Sequence, residues 1–258
     1  MGSRGRPRSL DGVDFIVLAG GPSTRYGGVQ KLLTVLHGIP LIAWHLIMLA
    51  DISPERIIVA LGHDAKSVEE VAKPALGYRR QAEYYTSRRT LGTAVVLRDL
   101  FTDGIIRREP IIVTYADTLL HTPGLIIDLV NFHRLNGLEL AMMIKPYHRL
   151  GYAYDVKTGK LHYLESPVPA GFYVMNLNIV KEIAHLVDDR LAEHGMIDIE
   201  DALTHLSRSI TIPTIPAYQT PLNSVHSLET PADIPSLLKL IKFSSYAGPF
   251  LPATTENK

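Results

Sequence analysis

Two short stretches of the chain combine residue types and spacings that suit phosphate chemistry. The first is Asp14-Phe-Ile-Val-Leu-Ala-Gly-Gly-Pro-Ser-Thr-Arg-Tyr-Gly-Gly-Val-Gln-Lys31. Its apolar run, Phe15 to Ala19, reads as a short buried strand of a parallel sheet. Gly20 and Gly21 end that strand and let a ligand come close to the backbone. Thr24, Arg25, Gly27, Gly28 and Lys31 follow in a loop too polar and glycine-rich for a core. Its free N–H groups and two cations suit a polyphosphate. The spacing is neither that of a Walker A loop nor the GxGxxG of dinucleotide folds. A glycine-rich turn with two solvated cations is the plain alternative. The second stretch, Ile111-Ile-Val-Thr-Tyr-Ala-Asp117, is an apolar strand ending on a carboxylate. Such an acid stands at the carboxyl edge of the sheet, where open α/β sheets bind ligands. A carboxylate beside a triphosphate is costly unless a cation lies between them, so Asp117 reads as a Mg2+ ligand. A helix cap is the alternative, but Thr122 ahead of Pro123 is expected to fill that role.

The elements that must position these residues follow from the rest of the chain. Its 258 residues fit one large α/β domain or two small ones. Equal numbers of basic and acidic side chains, 26 of each, give no electrostatic footprint of a nucleic-acid binder. The absence of Cys excludes a disulfide framework, a thiolate zinc site and a cysteine nucleophile. No apolar run is long enough to span a membrane, and the basic start lacks the apolar segment of a secretory signal, so no membrane partner and a cytoplasmic location are expected. Residues 1–12 read as a disordered basic tail, 13–243 as the domain and 244–258 as a flexible tail.

Leu41 to Ala50 has the composition of a buried helix, with Trp44 and His45 as packing residues. Ile57 to Leu61 is a second buried strand, followed by a helix over Val68 to Ala72 that Asp64 or Ser67 caps. This alternation predicts a parallel sheet with right-handed crossovers. An amphipathic helix capped by Thr90 or Thr93 runs through Leu100. Further strands are expected at Leu140 to Ile144, in two segments of Gly151 to Glu165 joined at Thr158-Gly159, and at Ala170 to Asn176. A helical pattern covers Ile179 to Leu206, where Asp198 with Asp201 reads as an N-cap.

The order Leu18-Ala-Gly-Gly21, Arg25, Lys31 behind a first strand resembles the nucleotidyltransferase superfamily, which transfers NMP from an NTP onto a phosphate. Sugar-1-phosphate nucleotidylyltransferases are the nearest match, and Arg25-Tyr-Gly-Gly-Val-Gln-Lys31 is also similar to the loop of molybdopterin and cobinamide guanylyltransferases. The resemblance implies a three-layer α/β/α sandwich with a mostly parallel, Rossmann-like sheet and a small β excursion. It also implies that Leu18, Ala19, Gly20, Gly21 and Thr24 lie against the nucleotide, while Arg25 and Lys31 hold the triphosphate. Leu91-Gly-Thr-Ala94 resembles the segment that, with an upstream Gln, reads the base edge, which points to Gln81, Gly92 and Thr93. The Gly-Tyr strand, hairpin and Ala-Gly-x-Tyr strand resemble the sugar-binding half, which would set Gly151, Glu165 and Gly171 around the acceptor. Ser166 and Pro169 stand where the family has Lys and Asn. Val225 to Ile234 resembles the closing Asp-x-Asp-Thr-Pro motif, with Ser227 and Glu229 on the two acids. Glu229 is the expected second metal contact, because a neutral hydroxyl is a poor anchor for a hard cation.

The implied activity is Mg2+-dependent transfer of NMP from an NTP to a phosphorylated small-molecule acceptor, foremost a sugar 1-phosphate, with release of pyrophosphate. Arg25, Lys31 and Asp117 would be its catalytic residues. Rival readings are a guanylyl- or cytidylyltransferase for a cofactor precursor and a weakly catalytic nucleotide-sensing domain. The sequence leaves open the base, the acceptor and whether the chain forms a homo-oligomer.

Overall fold

A computed structural model describes residue 10 and residues 12–76, 82–87, 91–155, 160–208, 217–220, 224–244 and 246–247. Strand β1 (Asp14–Ala19) lies at the centre and is buried on both faces. Phe15, Val17 and Ala19 point into one core while Ile16 and Leu18 point into the other, the two-residue alternation of a strand covered on both sides. After a short hairpin of β2 (Val35–Leu36) and β3 (Ile39–Pro40) comes helix α1 (Leu41–Asp51), buried from Leu41 to Leu49. Strand β4 (Arg56–Leu61), α2 (Ala65–Ala72), β5 (Ala82–Thr86) and α3 (Thr93–Thr102) follow. Next are β6 (Ile111–Tyr115), β7 (Thr118–Leu120) and α4 (Gly124–Leu135), then two long strands, β8 (Leu140–Asp155) and β9 (Lys160–Met175). Helices α5 (Leu177–His194) and α6 (Ile199–Arg208), strands β10 (Ala217–Gln219) and β11 (Val225–Ser227), and α7 (Ile234–Phe243) complete the order.

The main sheet runs β10-β8-β9-β6-β1-β4-β5. Its centre, β6-β1-β4-β5, is parallel, and β9 joins β6 and β8 antiparallel. Helices α1, α2, α4 and α7 cover one face and α3, α5 and α6 the other, so the fold is the expected three-layer sandwich. Because β1, β4 and β6 are parallel, their carboxyl ends open on one edge, the place for a ligand.

Several local expectations change. The separate strands predicted between residues 140 and 176 are two continuous 16-residue strands that tolerate register shifts between Met142 and Ile144 and between Lys145 and His148. The proposed turn at Thr158-Gly159 lies outside the described residues. The helical pattern of 179–206 is two helices, the first of which ends at Gly195, whose φ of 68° suits a glycine C-cap. Pro123, not Thr122, occupies the cap position of α4, and the Thr122 hydroxyl meets the His121 ring instead. Asp64 does precede α2, but its carboxylate accepts the Ser67 hydroxyl rather than a backbone N–H. Trp44 and His45 are packing residues as expected: the indole N–H donates to the Leu36 carbonyl and His45 is fully buried. The core also extends beyond residues 13–243. Leu10, Tyr246 and Ala247 are buried, with Tyr246 edge-on to Trp44 at 6.4 Å between centroids.

Candidate active site

The carboxyl ends of β1 and β4 meet through two glycines. A Cβ on Gly62 would lie 2.6 Å from the Gly20 carbonyl oxygen, and one on Gly20 would lie 3.2 Å from the Gly62 Cα. Gly62 is thus the glycine that this strand-to-strand contact requires, with Gly20 tight against it, whereas a Cβ on Gly21 would meet nothing. The loop that follows is braced from within. The Ser23 hydroxyl donates to Gln30 Oε1 (3.2 Å) and accepts from the Lys31 N–H (3.1 Å), while Gln30 Nε2 donates to the His63 carbonyl (2.9 Å). Gly27 and Gly28, with φ of 73° and 78°, turn the chain between the two short 3-10 segments that carry Arg25 and Lys31.

Lys31 Nζ donates to Asp117 Oδ2, just past the end of β6, and both side chains are largely buried. The other Asp117 oxygen accepts the Thr118 hydroxyl (3.1 Å), which also meets the Ser227 hydroxyl (2.9 Å); Lys145 Nζ reaches Ser227 from the far side (3.4 Å). Pairing of β7 with β11 and the Leu228 N–H on the Asp117 carbonyl (2.9 Å) carry the Glu229-Thr230-Pro231 turn to the site. Asp233 fixes that turn by accepting the N–H groups of Glu229 (3.0 Å) and Thr230 (2.8 Å). Arg25 and Glu229 form an exposed ion pair of 3.3 Å across the mouth. Beneath the site, His45 Nδ1 donates to the Thr118 carbonyl (2.9 Å), and burial pushes the imidazole down to about 4, so it stays neutral.

The opposite wall comes from the other helical layer. Gly92 has φ of 105°, and a Cβ there would lie 2.2 Å from the Ile197 carbonyl oxygen, so only glycine allows α3 to start against this loop. The N–H and hydroxyl of Thr93 donate to Asp198 Oδ1 (2.9 and 3.1 Å), and the Ile199 N–H donates to the Thr93 hydroxyl (2.9 Å). Helices α3 and α6 therefore cap each other. Asp198 does not cap its own helix through its side chain, and the Thr93 N–H, expected to read a base edge, is already taken. The Tyr115 hydroxyl lies 2.9 and 2.8 Å from the two oxygens of Glu200, which also accepts the Tyr173 hydroxyl. Burial first, then neighbouring charge including Glu200, holds both phenols well above their usual range.

These walls enclose a cavity of about 490 Å³. It brings together Leu18, Ala19, Gly20, Gly21, Thr24, Arg25, Lys31, Gly92, Thr93, Asp117 and Glu229 from among the residues singled out in the sequence. Gln81 lies outside the described residues. Gly151 sits on β8 opposite Leu164 and Glu165 on β9 opposite Leu150, with the Glu165 side chain outside the described residues. Gly171 does not line the cavity; its φ is 75° and a Cβ would lie 3.0 Å from the Tyr115 ring, so it backs the wall. Tyr115, Met196, Asp198 and Glu200 line the cavity without having been singled out for it. Tyr115, two residues before Asp117, carried a usable signal, since the end of a central strand faces the ligand edge. Glu200 carried none, because a first-turn acid is ordinary helix chemistry.

No group of three or more His, Asp or Glu side chains that could hold a metal occurs among the described residues. Mg2+ in nucleotide sites relies on one or two carboxylates, waters and substrate phosphates, so Asp117 with Glu229 in one cavity is a donor set that fits. Ser227 does not line the cavity, and its hydroxyl is engaged by Thr118 and Lys145.

Comparison with known proteins gives a consistent result. The family described as the MobA-like NTP transferase domain matches residues 15–152. The bifunctional protein GlmU of Thermoanaerobacter pseudethanolicus is 26% identical over 135 residues, 52% of this chain but 28% of that protein, so the match spans under a third of the relative. Among solved structures, the CTP:phosphocholine cytidylyltransferase LicC of Streptococcus pneumoniae superposes with a TM-score of 0.61 at 16% identity, covering 89% of this chain and 99% of that one. The inositol-1-phosphate CTP transferase of T. maritima gives 0.63 at 14% identity over 89% and 95%. HddC of Yersinia pseudotuberculosis gives 0.60 at 16% identity over 88% and 98%. At these identities the superpositions establish the fold.

Proposed function

Since the chain belongs to the MobA-like NTP transferase domain family, we propose that it transfers NMP from an NTP to a phosphorylated small-molecule acceptor, with sugar 1-phosphates as the first acceptors to test, and that the transfer depends on Mg2+. The observation that carries this reading is the Lys31–Asp117 pair at the carboxyl edge of the sheet, in one cavity with Arg25 and the Gly20-Gly21 strand end.

An acceptor phosphate oxygen attacks the α-phosphorus in line and pyrophosphate leaves. The nucleophile is already ionised, so the protein supplies positioning and charge neutralisation rather than a general base. Lys31, held by Asp117 at the strand end, exchanges that partner for the α-phosphate and offsets the charge that builds in the transition state. Arg25, whose exposed pair with Glu229 is worth little, turns to the departing phosphates. Asp117 and Glu229 would hold Mg2+, which when bound neutralises the triphosphate and favours departure of pyrophosphate. The braced Ser23–Gln30 loop keeps both cations in register.

The test is pyrophosphate release with each NTP and Mg2+ against a panel of phosphorylated acceptors. Release with at least one pair, abolished by EDTA and by Asp117→Asn, is expected. Because the solved neighbours are named for phosphocholine and inositol 1-phosphate, the panel extends beyond sugar phosphates. Binding of an NTP with no release from any acceptor would favour the nucleotide-sensing alternative, and turnover unaffected by EDTA would sink the metal assignment.

A further inference from the structure

We propose that Glu200 is a specificity-determining residue that selects an acceptor carrying a positive charge, an ammonium group at the end remote from its phosphate; this rests on reading the cavity as the site of nucleotidyl transfer. In-line attack sets the incoming oxygen opposite the departing pyrophosphate across the α-phosphorus. With the α-phosphorus at Lys31 and Asp117 and the pyrophosphate toward Arg25, the acceptor approaches from the wall contributed by the other helical layer, where Tyr115 and Glu200 stand.

The charges of the cavity are uneven. Asp117 is paired with Lys31, Glu229 with Arg25, and Asp198 caps α3 through Thr93. Glu200 is met by the hydroxyls of Tyr115 and Tyr173 and by no cation among the described residues. Two phenols fix the carboxylate's direction without neutralising it. An acceptor seated here displaces water from Glu200 and brings a phosphate of the same sign into the cavity. A neutral acceptor leaves that charge unbalanced, whereas an ammonium offsets it and gains from the neighbouring Tyr115 ring. The first turn of α6 does not need Glu200 for its dipole, because Asp201 supplies an acid in the same turn outside the cavity.

The experiment measures kcat/KM for pyrophosphate release with matched acceptors: phosphoethanolamine and phosphocholine, each against ethyl phosphate. The charged member of a pair is expected to win by about tenfold or more. Glu200→Gln, which keeps hydrogen bonds to the tyrosines, should bring that ratio toward one while leaving KM for the NTP and the melting temperature in place. A merely structural Glu200 would move the melting temperature and not the ratio. Preference for the neutral acceptors, or a ratio that survives Glu200→Gln, overturns the inference. If an NTP raises the melting temperature but no charged acceptor is used or bound, the inference fails while the nucleotide site stands. If no NTP raises it, the transfer reading itself fails and the inference falls with it.

Discussion

The sheet carries a carboxylate–cation pair at each of its two edges, and the pairs are built for different ends. At the amino edge, Asp14 is fully buried and accepts from Arg56 (2.9 Å) and from the backbone N–H groups of Arg107 (2.7 Å) and Arg108 (3.2 Å). Arg56 is in turn clamped by both oxygens of Glu83 at 2.7 and 2.6 Å and by the Ile105 carbonyl, and its pKa is raised, chiefly through Glu83. Those contacts tie β1, β4, β5 and the strand-entry loop of β6 together. At the carboxyl edge, Asp117 and Lys31 keep a similar contact but face an open cavity, and among the described residues Asp117 takes only one further side-chain donor, from Thr118. A pair whose cation is clamped on several sides and whose buried carboxylate takes three donors on one oxygen holds the fold. A pair left with open coordination on a ligand edge can exchange partners.

Breaking each pair should therefore separate stability from activity. Asp117→Asn is expected to lower kcat by on the order of 10³-fold while circular dichroism and melting stay close to wild type; near-normal turnover would remove Asp117 from the chemistry. Arg56→Ala leaves Asp14 buried without its cation and should cost about 3–5 kcal/mol of stability, seen in urea unfolding, with turnover per folded molecule preserved. A loss under about 1 kcal/mol would make the amino-edge pair an ordinary surface bridge.

The third expectation concerns acid. The His45 pKa is about 4 in the folded chain against 6.5 for an ordinary histidine. Below the ordinary value the unfolded chain takes up the proton and the folded chain does not, so stability falls as pH drops from 6.5 toward 4. The total is about 3 kcal/mol at roughly 1.4 per unit. His45→Phe should flatten that limb in urea titrations at several pH values, and an unchanged limb would assign it to other groups. The smallest effect is at the mouth. Arg25→Ala should change stability by less than about 0.5 kcal/mol and raise KM for the NTP by about tenfold; an unchanged KM would detach Arg25 from the triphosphate.

The residues of these two edges also show where sequence reading succeeds and stops. Continuous apolar runs such as Phe15 to Ala19 and Ile111 to Thr114 announced central strands, and the polar residues just past them announced the ligand edge, because strand ends are local in sequence. Gly20, Gly21, Arg25, Lys31 and Asp117 were legible for that reason, and Glu229 entered through a motif. Asp14 and Arg56 were not legible as a pair, since 42 positions separate them and only β1–β4 pairing aligns them.

The sequence by itself determined the alternation of strands and helices, the three-layer class and the cationic loop facing an acid, because each rests on periodicity or short spacing. The tertiary structure alone decided the far wall. Thr93 meets Asp198 across 105 positions and Tyr115 meets Glu200 across 85, contacts that exist only once α3 and α6 pack on the same face of the sheet. Long-range packing also reassigned roles: Gly20 serves its neighbour Gly62, Gly171 serves Tyr115, and the Thr93 N–H serves a helix cap. A side chain's chemistry is written in its residue type, but the partner that uses it is set by where the chain brings it.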